Sequence, residues 1–291
     1  MKRFLDPKVI AKLKDTKIRV KTAVEGIRPG LHRSHYQGMS IEFSQHREYM
    51  PGDEPKYVDW KVYARTDKYY VKTFQAETNM RCYIILDTSA SMGYGSNGIT
   101  KLEYGCFLAA SLSYLMLNQG DSVGLFLVAD ELKGYLPPRP SLSYIDPIAR
   151  ALEGARPSGR TDLGRCFALI AEKVKRRGFM VVISDLMDDV ERCIRGLKYF
   201  KHRKNEVMVL QLLDPEEISM DLGGPRLFVD MESGQEIAAD PSNLREEYER
   251  NVQGFISECR RKCREGLINH ILVRTDLPLE EIIPYLKRFG R

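Results

Sequence analysis

Residues 82–92 read Cys82-Tyr83-Ile84-Ile85-Leu86-Asp87-Thr88-Ser89-Ala90-Ser91-Met92, an apolar run that ends on an acid and passes at once into alternating hydroxyls. Apolar residues in unbroken succession, without the period of two of a half-buried strand, predict a strand covered on both faces, as in a parallel sheet. The carboxyl end of such a strand is where open α/β sheets place ligands. Asp87, Ser89 and Ser91 together offer one carboxylate and two hydroxyls, the hard oxygen donors that Mg²⁺ or Mn²⁺ takes.

Outward from this stretch the pattern repeats. Residues 122–129 (SVGLFLVA), 179–185 (FMVVISD), 206–213 (EVMVLQLL) and 268–274 (INHILVR) are further near-continuous apolar runs, separated by longer amphipathic segments. That alternation predicts βα units and a mostly parallel central sheet flanked by helices. Thr100-Lys101-Leu102-Glu103 is a capping-box pattern opening a helix to about Gln119, with Gly120 as its stop. Thr161-Asp162 opens another, expected to reach Arg177 with Lys173, Lys175, Arg176 and Arg177 complementing the helix dipole in its last turn. The basic runs 201–204 and 260–262 are assigned the same helix-end role. Residues 225–239 (PRLFVDMESGQEIAA) predict a β-hairpin turning at Glu232-Ser233-Gly234, inserted before a helix over 241–265. Residues 1–78 read differently: a helix-like start from Pro7 to about Gly26, then Gly-, Tyr- and charge-rich short runs such as 68–74 (KYYVKTF). The expected division is a β-rich module over 1–78 and an α/β domain over 79–291.

The chain has 291 residues, 43% hydrophobic and 29% charged, which excludes disordered and fibrous classes. Lys+Arg 45 against Asp+Glu 40 leaves +5, too mild a balance to demand a nucleic acid or an anionic membrane as partner. The first residues, MKRFLDPKVIAKLKDTK, lack the apolar run of a secretory signal. The most apolar helix candidate, residues 106–117, is broken by Ser111 and Ser113 and falls short of the ~20 residues that span a bilayer. A cytoplasmic protein without a membrane span is therefore expected. The six cysteines form no C-x-x-C pair and sit in apolar periodic segments, so they are read as core thiols, Cys259 and Cys263 included.

Two further oxygens for the Asp87 loop arrive in order. Gly159-Arg160-Thr161-Asp162 puts a hydroxyl in a loop that opens a helix, and Ile183-Ser184-Asp185 puts a carboxylate at the end of a later strand. Taken singly, these residues have bland roles: Ser89 and Ser91 serve turn backbone, Thr161 is a helix cap, and Asp185 ends a strand. Together, at those topological positions, they predict a metal site. The sequence of strand, D-x-S-x-S, helix, then Thr and Asp resembles the metal-ion-dependent adhesion site of von Willebrand factor A domains. That resemblance implies a Rossmann-like A-type fold, with Ser89, Ser91 and Thr161 as direct ligands of Mg²⁺ or Mn²⁺. Asp87 and Asp185 would act directly or through water, and a partner carboxylate would complete the shell. Thr88 and Ala90 replace the usual glycines, and Leu186 follows Asp185 where a glycine is usual, so weak binding is expected; Asp188 and Asp189 are rivals of Asp185.

The N-terminal stretch narrows the resemblance. Residues 38–43 (GMSIEF), 47–54 (REYMPGDE), 58–61 (VDWK), 64–67 (ARTD) and 71–74 (VKTF) resemble, in order, the signature of the bacterial domain-of-unknown-function family 58. Its members are typically found beside MoxR-type AAA+ ATPases, which implies an adaptor or substrate-binding partner of such an ATPase acting on an unknown client protein. The residues that would dock are Arg47, Tyr49, Asp53, Asp59, Trp60 and Arg65. The competing structural roles are a turn at Pro51-Gly52-Asp53, a core anchor at Trp60, and an ion-pair network of Glu42, Arg47, Asp59 and Arg65. His32, His35 and His46 match no ligand spacing and are read as loop or surface residues.

Three rival functions stand beside the binding module. Gly93-Tyr94-Gly95-Ser96-Asn97-Gly98 is formally G-x-G-x-x-G, but it starts several residues beyond the strand and lacks the acid about 20 residues on, so a mobile loop over the cation is expected there. A metal-assisted hydrolase would use the same cation to activate water, yet no His follows any of the strand ends, so its base would have to be a carboxylate. A nucleic-acid binder would use Lys56-Tyr57, Lys61-Val62-Tyr63, Lys68-Tyr69-Tyr70 and Lys72. The sequence favours a non-enzymatic binding protein over all three.

Overall fold

The computed structural model describes residues 41–50, 58–76, 80–279, 281 and 282. The expected N-terminal helix and Asp53 lie outside these residues. In the N-terminal unit, β1 (Ile41–Glu48) pairs antiparallel with β2 (Tyr70–Ala76), with a register shift between Phe43 and Gln45. Between them, α1 (Trp60–Thr66) begins where the Asp59 carboxylate accepts from Lys61 N at 3.0 Å and Val62 N at 3.3 Å. The cap dictates the fate of Trp60. At the first helical position its ring faces solvent, 59% exposed, and the expected core anchor is overturned; among the described residues of this unit, the apolar side chains that are buried are Val58 and Val71, joined by a β-bridge. Trp60, Tyr63, Tyr69 and Tyr49 instead form a run of ring contacts, the Tyr63 and Tyr69 rings stacked at 4.5 Å.

From residue 80 onward the apolar runs form one six-stranded sheet in the order β10-β7-β6-β3-β4-β5. Its strands are β3 (Arg81–Asp87), β4 (Ser122–Val128), β5 (Leu132–Arg139), β6 (Phe179–Ser184), β7 (Glu206–Leu213) and β10 (Asn269–Arg274). All neighbours are parallel except β5, which closes the β4 edge antiparallel. Its sequence, LKGYLPPR, hides the strand, because two prolines remove ladder donors; an edge tolerates that loss and an interior position does not.

The four inner strands are buried on both faces, and their alternate residues feed two cores. Cys82, Ile84 and Leu86 of β3 pack on one face with α2 (Lys101–Asn118) and α3 (Ile145–Gly154). Tyr83 and Ile85 pack on the other with α4 (Leu163–Lys173), α5 (Val190–His202) and α7 (Pro241–Glu265). Each fully buried aliphatic side chain contributes about 1.5–3 kcal/mol, so this two-sided burial is what makes continuous apolar runs the right material for these strands. All six cysteines are buried within it, Cys259 and Cys263 among them. The capping box at Thr100 is present, and Gly120 leaves α2 with φ +86°. Helix α4 stops earlier than expected: Val174 takes ψ 86° and turns into the core, so Lys175, Arg176 and Arg177 follow the helix and do not form its last turn. The short helix α6 (Pro215–Ser219) follows β7, and β8 (Arg226–Val229) with β9 (Glu236–Ala239) makes the expected hairpin as a two-stranded sheet of its own. Among the described residues no helix is long and apolar enough to cross a membrane.

A candidate cation site at the carboxyl edge of the sheet

Strand order reverses at β3: the chain runs from β3 out to β4 and returns to lay β6 on the other side. The crevice beyond the carboxyl ends of β3 and β6 is the switch point of the sheet, and the Asp87 and Asp185 loops both open into it. Asp87 is fully buried. Its Oδ1 accepts from Ser89 N at 2.9 Å and its Oδ2 from Ser184 Oγ at 2.6 Å, and Leu186 N donates to Ser184 Oγ at 3.0 Å. Burial, then the charge of Asp185, push the Asp87 carboxyl up to about 7 against the pull of these hydrogen bonds. A carboxylate in that state is stabilised by any cation that reaches it.

The two serines are not spent on turn backbone. Ser89 precedes the 3-10 turn over Ala90–Gly93 but makes no side-chain capping bond, and its hydroxyl instead meets that of Ser91 at 3.1 Å. The loop carrying Thr161 lies alongside: Ala90 N donates to Gly159 O at 2.9 Å and Ser158 N to Thr88 O at 2.9 Å. Thr161 is not the helix cap. That role falls to Asp162, which accepts from Arg165 N at 2.8 Å, and so leaves the threonine hydroxyl for other use. The rivals of Asp185 are likewise committed, Asp189 as the cap of α5 and Asp188 to Leu163 N at the start of α4.

Asp185 is buried and its two oxygens are taken, Oδ1 by Met187 N at 3.0 Å and Oδ2 by Lys101 Nζ at 2.7 Å. Lys101 is the largest surprise of the site. It stands at the first position of α2 with its side chain fully buried, and its ammonium also meets Glu217 of α6 at 2.6 Å. Burial works against the ammonium, but the charges of Asp185 and Glu217 outweigh it and hold its pKa above the ordinary value. The sequence stretch that carries Lys101 is dominated by its capping box, and nothing in it marks this lysine as interior. Ser184 and Glu217 were hidden in the same way, one inside an apolar strand and one inside a charged helix turn.

The loop 93–98 is tied down. Tyr94 Oη donates to Glu216 at 2.9 Å, Ser96 N and Oγ donate to Asp214 at 3.0 and 2.5 Å, and a Cβ on Gly95 would stand 2.1 Å from Ile99 O. These bonds pin the segment to the start of α6, which overturns the expected mobile loop. Thr161 is met from outside by Glu232 in the turn of the β8–β9 hairpin.

The donors suit a hard divalent cation held weakly. Asp87, Ser89, Ser91 and Asp185 stand at the carboxyl ends of β3 and β6, the Thr161 loop is hydrogen-bonded to the Asp87 loop through its backbone, and with both Asp185 oxygens engaged that residue would meet an ion through water. Among the described residues no three His, Cys, Asp or Glu side chains form a group that could hold a metal ion, so a cation here would depend on hydroxyl oxygens. Of the N-terminal residues, Tyr49 and Trp60 are exposed, Arg65 is exposed on α1, Arg47 donates to Glu48 O at 3.1 Å, and Asp59 caps α1.

A doubly covered, mostly parallel sheet with one antiparallel edge and its polar loops at the β3–β6 switch point defines an open α/β domain with flanking helices. The model of the family described as "Protein of unknown function DUF58" matches residues 45–254, and the chain belongs to that family. It is 27% identical over 276 residues to an uncharacterized protein of Mycobacterium tuberculosis, Rv1480, covering 93% of this chain and 86% of that one; Mb1516 of Mycobacterium bovis gives the same figures. Among solved structures, an aerotolerance-related membrane protein of Bacteroides fragilis aligns with TM-score 0.50 and 20% identity, over 72% of this chain and 99% of that one. The BatB protein of Bacteroides thetaiotaomicron aligns with TM-score 0.50 and 20% identity over 72% and 96%. These two likenesses concern the fold.

Proposed function

We propose that the chain is a non-enzymatic protein-binding module whose grip on its partner passes through Mg²⁺ or Mn²⁺ at the Asp87 crevice. Ser89, Ser91 and Thr161 hold the ion, Asp87 and Asp185 balance its charge, and a partner's carboxylate takes the position left over. The observation that carries this reading is the state of Asp87: a fully buried carboxylate beside Asp185, its own pKa raised, with two serine hydroxyls left off the backbone at its loop. Such an arrangement costs stability unless a cation repays it. The partner is a MoxR-type AAA+ ATPase together with a client protein that the adaptor presents to it, a proposal supported by the family resemblance.

Calorimetric titration of Mg²⁺ and Mn²⁺ into wild type and Ser89→Ala tests the ion, and capture of a purified MoxR-type ATPase with metal and with EDTA tests the partner. Metal binding lost in Ser89→Ala and capture lost in EDTA are expected. Capture unchanged by both would move the binding surface to the N-terminal unit.

A further inference from the structure

Glu232 sits on Thr161. Its carboxylate accepts from Thr161 Oγ1 at 2.5 Å and from Thr161 N at 3.2 Å, a two-point contact with one of the three hydroxyls assigned to the cation. The turn is built to present it. Asp230 Oδ1 accepts from Glu232 N at 2.7 Å and Ser233 N at 2.9 Å, while Gly234 closes the turn with φ +72°. Next in sequence, Met231 lies over Gly93, directly after the D-x-S-x-S loop: a Cβ on that glycine would stand 3.1 Å from the Met231 methyl. The strands behind the turn hold it loosely. β8 and β9 pair with each other in a separate sheet, and Leu227, Val229 and Ile237 are each more than half exposed.

We propose that Glu232 is the built-in ligand of the site: it supplies, from within the chain, the carboxylate that completes the cation's shell, and a partner binds by displacing the β8–β9 turn with an acidic side chain of its own. The inference rests on the proposed cation site and names how that site is kept closed. Exchange of one carboxylate for another is nearly even in chemistry, and the tethered one has an effective concentration on the order of millimolar or above. A free carboxylate is therefore excluded, whereas a partner that also engages the exposed hairpin surface can win.

The test uses the full chain, Mn²⁺ as the probe, water-proton relaxation to follow water on the bound ion, and acetate as a free carboxylate. In Glu232→Gln, bound Mn²⁺ is expected to relax water more strongly than in wild type, since water takes the vacated position. Acetate should reverse that gain at concentrations roughly tenfold below those that affect wild type. Glu232→Ala should behave alike, with unchanged circular dichroism for both variants. Relaxation and acetate response equal to wild type, with Mn²⁺ binding still lost in Ser89→Ala, would overturn the built-in ligand and leave the cation site standing. No Mn²⁺ binding, or binding indifferent to Ser89→Ala, would overturn both.

Discussion

The inner and outer halves of the candidate site are made of the same residue types and behave as different materials. Inside, Asp87, Ser184, Asp185 and Lys101 are fully buried and bonded to one another or to β-strand ends. Outside, Ser91, Thr161 and the Glu232 turn are partly exposed, and the hairpin behind that turn packs as a sheet of its own. In the inner half a lost partner leaves a charge stranded in low dielectric; in the outer half water replaces it. The inner half is thus part of the fold, and the outer half is where recognition can change without unfolding the chain. Substitutions that mix the two confuse stability with function.

The largest test of this division is Lys101→Met. It fills similar volume but strands Asp185 and Glu217, and breaking a buried pair in this way costs about 3–5 kcal/mol. Urea unfolding should show that loss as a lower midpoint with an unchanged slope. Glu217→Gln should cost far less, because Lys101 keeps Asp185. Equal effects of the two substitutions would mean that Lys101 is not the hub of the inner half.

How much of this was legible in the sequence follows the same boundary. Continuous apolar runs declared β3, β4, β6, β7 and β10, because a strand covered on both faces leaves little choice of residue. The positions of Asp87 and Asp185 followed from strand ends, since the sheet order brings the ends of β3 and β6 side by side, whereas Thr161 lies in the connection between α3 and α4. What stayed hidden depends on side-chain direction. Lys101 reads as a helix surface residue until α2 is laid against β6, Glu232 reads as a turn residue until the hairpin folds back, and Trp60 reads as an anchor until Asp59 starts a helix in front of it. The proline-bearing β5 carries no strand signal, because an edge demands so little of its sequence.

His270 extends the inner half toward the edge strand and should answer to pH. Its Nε2 meets Gln211 Oε1 at 2.8 Å, and Gln211 Nε2 donates to Asp185 O at 3.1 Å. The hydrogen-bond network assigns the proton to Nε2, which leaves the buried Nδ1 without a partner among the described residues. Burial, then the charge of Arg260, lower the His270 pKa to about 4. The unfolded chain takes up a proton near the ordinary 6.5, before the folded one does, so stability present above pH 6.5 is lost as pH falls toward 4. The loss should be on the order of 2 kcal/mol relative to His270→Gln, measured by urea unfolding across that window. Parallel pH profiles for the two proteins would remove His270 from the network.

Asp87→Asn separates the halves from the other side. The raised pKa means that ionising Asp87 subtracts stability from the metal-free protein as pH rises from the unfolded value near 3.8 through about 7. Asparagine keeps an acceptor for Ser89 N and carries no charge to bury. At pH 8 without metal the variant should therefore lie within about 1 kcal/mol of wild type or above it, while Mg²⁺ no longer raises its melting temperature. A large loss of stability in the variant would show that the Asp87 charge is compensated from within the fold, and the case for a cation there would fall with it.

Trp60→Ala should have the smallest effect on folding and carries the comparison to the N-terminal unit. The ring is 59% exposed at the first position of α1, whereas Val58 and Val71 of the same unit are buried. Surface substitutions away from caps and buried contacts stay within about 0.5 kcal/mol, so the melting temperature should barely move, whereas Val71→Ala should lower it visibly. That asymmetry makes Trp60 a clean probe of docking. If capture of a MoxR-type ATPase weakens in Trp60→Ala at unchanged stability and survives EDTA, the exposed rings of Tyr49, Tyr69 and Trp60 hold the ATPase and the cation edge is left to the client. If capture is unaffected, those rings serve another surface, and ATPase recognition belongs with the outer half of the cation site.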